Sequence, residues 1–107
     1  MSNNRRNTNR IQANLPIEIY VDSQITVQGT VKDISTQSAF IAMKSSIFMQ
    51  VNDELKFSMK LSLNGNEERI GGVAKISRIS PGEGIAIYFT RMEPAAMALL
   101  KRLVTGT

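Results

Sequence analysis

The chain has 107 residues, 42% of them hydrophobic and 21% charged, with no Cys, no His and a formal net charge of +4. That length suits one domain with a single small core, and the composition is too apolar for a disordered chain. Without Cys or His there is no disulfide scaffold, thiolate metal site, Cys nucleophile or Ser-His-Asp triad.

The first segment, residues 1–14, carries Arg5, Arg6 and Arg10 and no acid, whereas residues 15–107 set ten cations against nine acids. The positive field therefore sits on a basic N-terminal tail, which suits an anionic partner: nucleic acid, a nucleotide phosphate or an anionic membrane. The opening Met1-Ser2-Asn3-Asn4-Arg5-Arg6 lacks the apolar stretch of a signal peptide. No run of about 18 apolar residues follows, so a cytoplasmic protein without membrane insertion is expected.

From Leu15 to Asp22 apolar and polar residues alternate with period two, and Pro16 sits near the start, where a missing N–H is tolerated. After the turn residues Asp22-Ser23-Gln24, the alternation resumes from Ile25 to Lys32, and Ser38 to Met43 forms a third short strand. A looser stretch to Gln50 and the turn Asn52-Asp53 precede Glu54 to Leu63, the cleanest alternation in the chain. Asn64-Gly65-Asn66 signals a tight hairpin, because Asn-Gly suits positive φ at both central positions. Ile70 to Ile79 returns, with Gly71-Gly72 suggesting a bulge or tight bend, and Ser80 to Gly84 turns into Ile85 to Phe89.

Over about 92–104 the period becomes helical. Pro94 fits the first turn, Lys101 and Arg102 the last, and Gly106 lies just past the end. Met97, Leu100 and Val104 form an apolar stripe edged by Ala96 and Leu103. Six strands with short connections and a closing helix predict an all-β fold. It is a six-stranded antiparallel β-barrel with one C-terminal α-helix over its mouth or flank, a single domain spanning 15–107. Closure removes the two edges that an open sheet would expose.

Two local patterns stand out. Arg6-Asn7-Thr8-Asn9-Arg10 reads RxxxR before the first strand, and Asp33-Ile34-Ser35-Thr36-Gln37-Ser38 reads DxSxxS in the turn after the second. Each alone is common, since Asp-x-Ser is an ordinary turn. Their order is specific, and with the barrel and helix behind them they resemble the PilZ family. The resemblance runs from Arg5 to about Leu103 and takes in Gly82-Glu83-Gly84-Ile85-Ala86-Ile87-Tyr88-Phe89, which looks like the family's last strand. It implies a PilZ-like barrel of the split-barrel type and a receptor for the bacterial second messenger cyclic di-GMP, a binding module and not an enzyme. It further implies that Arg6, Arg10, Asp33 and Ser35 hold the ligand. Ser38 stands where the family has Gly, which matters if that position needs positive φ or a close approach of the ligand; a weakened or adjusted site, not an abolished one, is expected. A basic residue at the place of Arg5 goes, in families of this type, with an intercalated pair of ligand molecules. No metal or cofactor is implied, and an effector protein is the expected partner.

The chemistry of the ligand agrees. Cyclic di-GMP is a dianion with two guanines, and the Arg fork matches both phosphate oxygens and guanine O6 and N7. Guanine's other edge carries N–H donors, for which Asp33 supplies an acceptor; Ser35 either completes that edge or holds the turn. A tail folding over the nucleotide would order the site on occupancy. One rival is a degenerate PilZ-like interaction adaptor that does not bind the nucleotide, which Ser38 favours. Another is a barrel for single-stranded nucleic acid, which needs exposed aromatics. The chain has no Trp, and its Phe and Tyr read as mostly core, so no DNA or RNA partner is expected. The acid pairs Asp53-Glu54 and Glu67-Glu68 read as solvated turns, no phosphate loop is present, and Arg78 and Arg91 read as strand surface.

Overall fold

Each alternating stretch becomes a strand that turns its apolar side to one shared interior. The structure, a computed structural model, describes residues 10–44, 46 and 48–106. Its strands are β1 (Ile11–Tyr20), β2 (Thr26–Ile34), β3 (Ser38–Ala42), β4 (Glu54–Leu63), β5 (Asn66–Ser80) and β6 (Gly84–Met92), followed by α1 (Pro94–Thr105). All pairings are antiparallel, in the order β1-β2-β3-β6-β5-β4, and β4 returns to β1 to close the barrel. On β4 the period-two rule is clean: Leu55, Phe57, Met59 and Leu61 are buried, and the residues between them face out.

Turn chemistry sets the corners. Asn64 and Gly65 take φ of 54° and 82°, the left-handed pair that a two-residue hairpin of this hand requires. Asp22 Oδ1 accepts from the amides of Gln24 and Ile25, closing the β1–β2 connection. At Gly84 the strands β3 and β6 approach so closely that a methyl group would fall on the Ile41 carbonyl. The helix begins with Pro94 in its first turn and ends at Gly106 in the left-handed region, whose N–H donates to the Arg102 carbonyl at 2.8 Å. Its inward face is Ala96, Leu100 and Val104, with Met97 and Leu103 half-buried at the sides.

The structure differs from the sequence expectations in several places, and β5 and β6 are both longer than expected, at Asn66–Ser80 and Gly84–Met92. β1 starts at Ile11, ahead of Leu15, because Ile11, Ala13 and Leu15 continue the half-buried alternation. β2 runs to Ile34, so Asp33 lies within the strand and not in the turn. The ladder from β4 to β5 passes Gly71 and Gly72 unbroken, and the irregularities of β5 fall on its other side, at Val73/Ala74 and Ile76/Arg78 against β6. Gly72 instead permits close packing, since a methyl there would stand 2.6 Å from the Arg91 carbonyl oxygen. The aromatic residues are mostly not core. Phe57 is buried, Phe40 and Phe89 are half-buried, and Tyr20, Phe48 and Tyr88 are exposed. Ile, Leu and Met fill the narrow interior and leave most rings outside.

Leu100, on the inward face of α1, is fully buried. Leu100→Ala is expected to cost about 2–5 kcal/mol, read as a lower urea midpoint with an unchanged slope. An unchanged midpoint would mean that the helix does not seal the core.

Candidate functional site

The pairing of β1 with β2 sets Ile11 opposite Ile34 and Gln12 opposite Asp33. Arg10, one residue before β1, is thereby delivered beside Asp33. Its Nε donates to Asp33 Oδ1 at 2.7 Å, and its Nη1 donates to Ser38 Oγ at 2.7 Å. One guanidinium thus ties the entry of β1, the end of β2 and the first residue of β3.

Asp33 faces outward because of a bulge. Val31 points in, so strict alternation would turn Asp33 inward as well. Between Val31 and Asp33 the register against β3 shifts, Asp33 pairs with the outward Phe40, and Ile34 becomes the next buried residue. The extra residue re-aims the carboxylate, a common use of bulges beside functional sites.

The Arg10 and Asp33 side chains remain 42% and 33% exposed. An ion pair of that exposure contributes only roughly 0–1 kcal/mol, so stability does not account for it. The pair is also incompletely used: among the described residues, the Nη2 edge of Arg10 and Oδ2 of Asp33 have no partner. The Nη2 edge can donate to an anion or to guanine O6 or N7, and Oδ2 can accept from a guanine N–H, without breaking the pair.

Ser35 has a different place. It is completely buried, and its Oγ accepts from the amides of Gln37 and Ser38, each at 3.1 Å, and donates to the Ser38 carbonyl at 3.4 Å. Of the two roles the sequence leaves open, this hydroxyl is occupied with holding the turn. Ser38 carries no left-handed strain, since Asn52 and Asn64 are the non-glycine residues of positive φ among those described. It sits as ordinary extended strand and lends its hydroxyl to Arg10. Arg5 and Arg6 lie outside the described residues. Two neighbours escape the sequence motif, Phe40 opposite Asp33 and Tyr88 opposite Ser38. The signal for Tyr88 was its phase, out of step with the buried Ile85 and Ile87.

Several clefts lie elsewhere on the barrel. The clefts of about 880, 650, 530 and 150 Å³ are lined by other residues, the largest lying between Lys56, Arg69 and Arg91 and the start of α1. On its rim the Tyr20 hydroxyl donates to Glu18 Oε1 at 2.9 Å, and that carboxylate holds the phenol above its ordinary pKa. Among the described residues there is no cluster of three metal-ligating side chains, and no helix is long and apolar enough to cross a membrane.

Comparison with known proteins adds the family. The sequence profile of the PilZ domain matches residues 4–106, and the chain belongs to the PilZ domain family. Among solved structures it is similar to the inhibitor of motility MotI/DgrA of Bacillus subtilis, with a TM-score of 0.84 at 16% identity. That match covers 96% of this chain and 50% of the other, so the chain spans half the length of that relative. The PilZ domain of CeSA from a cellulose-synthesizing bacterium gives a TM-score of 0.62 at 28% identity, covering 91% of this chain and 95% of that one. The PilZ domain of Escherichia coli YcgR, a structure with c-di-GMP, gives 0.69 at 15% identity, covering 96% and 91%. No match is found among curated proteins.

The geometry separates two serine and aspartate effects. Ser35→Ala strips the partner from two turn amides and is expected to cost about 1–3 kcal/mol of stability. Asp33→Ala removes only an exposed pair and should shift stability by less than about 1 kcal/mol. Thermal melts of both variants check the contrast, which fails if Asp33→Ala proves the more damaging.

Proposed function

We propose that this PilZ domain is a cyclic di-GMP receptor that closes its arginine-bearing N-terminal segment over the nucleotide and passes the signal to an effector protein. The observation that carries the reading is the half-used Arg10–Asp33–Ser38 cluster on the barrel's outer face. The free Arg10 edge suits phosphate oxygens or guanine O6 and N7, and Asp33 Oδ2 suits the N–H donors on guanine's opposite edge. Arg6 precedes Arg10 by four positions, at most about 14 Å of extended chain, so it can reach the same ligand from another side. Ser35 acts at one remove, by fixing the turn that places Asp33 and Ser38. Ser38 is compatible with binding because its hydroxyl orients Arg10. Family membership and the nucleotide named with the YcgR domain support the same ligand. PilZ domains are ligand-binding modules, so the output falls to a partner protein. The name of MotI/DgrA, an inhibitor of motility, describes one such output in a relative.

Arg5 extends the reading to stoichiometry. Together with Arg6 and Arg10 it brings more positive charge than one dianion requires. Two stacked nucleotides carry about −4 and need that charge close by to offset their repulsion.

Isothermal titration with cyclic di-GMP tests the proposal. Arg6→Ala and Arg10→Ala should each weaken binding roughly tenfold or more, the loss expected for a bidentate Arg contact. Asp33→Ala should weaken cyclic di-GMP while sparing a residual, unselective attraction for other anionic nucleotides. Normal binding by either arginine variant would overturn the assignment, and a wild type that gives no heat would leave the non-binding adaptor standing.

The wild type should saturate at two nucleotides per chain, and Arg5→Leu at one. Raised salt should weaken both, because exposed charges are screened. Saturation of the wild type at a single nucleotide would remove Arg5 from the site.

A further inference from the structure

Beside the arginine cluster the outer face of β3, β6 and β5 carries a second, ordered row. Ser38 pairs with Tyr88, which pairs in turn with Lys75, while Phe40 pairs with Ala86, which pairs with Arg78. Ala39, Ile41, Ile85 and Ile87 are buried, so period two turns Ser38, Phe40, Ala86 and Tyr88 outward. Across the small Ala86, Arg78 reaches the Phe40 ring, 5.9 Å from guanidinium carbon to centroid. That ring has a partner. Tyr88 has none: it is 40% exposed, and among the described residues its ring meets no aromatic or cation and its hydroxyl makes no hydrogen bond.

The position of this idle ring is what matters. Directly opposed residues in an antiparallel pair hold their Cβ atoms about 4.5–5.5 Å apart. Ser38 therefore has the Arg10 guanidinium on one side, bonded to its Oγ, and the Tyr88 ring on the other. A planar base whose edge is read by Arg10 extends over Ser38 and meets that ring. Lys75, the next residue in the row, has no ion pair among the described residues and adds a positive charge beside the ring.

We infer that Tyr88 is a base-stacking residue of this site, giving the purine next to Arg10 an aromatic face to lie on. The inference rests on the receptor reading above and adds to it a contact outside the two sequence motifs. Stacking depends on the ring and not on the hydroxyl, so Phe and Trp serve in its place and Ala does not.

The chain has no Trp, so Tyr88→Trp introduces a single indole as a reporter. Its emission should be quenched as cyclic di-GMP is added, along the same curve as the calorimetric titration. Tyr88→Ala should bind about tenfold more weakly or worse, and Tyr88→Phe within about twofold of wild type. Melting curves like that of the wild type accompany all three variants, and the indole signal decides the matter should Tyr88→Ala fold poorly. Undiminished binding by Tyr88→Ala, or indole emission unchanged at saturation, overturns the inference while leaving the receptor intact. A loss in Tyr88→Phe as large as in Tyr88→Ala also overturns it, since the contact would then be a hydrogen bond. Absence of binding by the wild type overturns the receptor reading and the stacking with it.

Discussion

The register of β1 on β2 is the constraint from which the candidate site follows. Ile17 and Ile19 are buried, with Gly29 and Val27 as their partners, and a slip by one residue would turn both isoleucines to solvent. Those side chains hold the body of the strand, but between Gln12 and Leu15 the register shifts, so the entry of β1 has an alignment of its own. Arg10 needs no core contact of its own. It meets Asp33 because, beyond that shift, Ile11 pairs with the buried Ile34 and Gln12 with Asp33.

The bulge in β2 and the buried hydroxyl of Ser35 complete the arrangement from the other side. Without the shift between Val31 and Asp33 the carboxylate would point at the core, where an unpaired charge is costly. Without Ser35 the amides of Gln37 and Ser38 would lose their partner at the corner leading into β3. A scaffold held by aliphatic packing thus presents two charged groups whose mutual attraction adds little to folding. Among the described residues the Nη2 edge of Arg10 and Oδ2 of Asp33 carry no partner, and the pair is not needed to hold the barrel together.

Much of this was legible in the sequence, and the gaps have physical causes. The strand β4, the Asn64-Gly65 turn and the Pro94 and Gly106 helix ends could be read directly, since each follows from local period or backbone preference. The start of β1 was obscured because Gln12 and Asn14 look like tail, although Ile11 and Ala13 keep the period. The bulge at Asp33 leaves no local mark, as it arises from pairing with β3, which a linear pattern does not contain. For the same reason Ser35 showed its residue type but not its burial. The aromatic residues misled because a ring's average preference for the interior gave way to the small bore of the barrel. Tyr88 entered the site only when the β3–β6 register placed it opposite Ser38.

The central claim is that the nucleotide is held where Arg10, Asp33 and Ser38 converge, and not in the larger clefts. Amide chemical-shift mapping of the protein during addition of cyclic di-GMP addresses this directly. The account predicts that the largest shifts fall on Arg10, Asp33, Gln37 and Ser38 and continue to Tyr88. The cleft around Lys56, Arg69 and Arg91 should stay still. Shifts centred on that cleft, or none at saturating nucleotide, would contradict it.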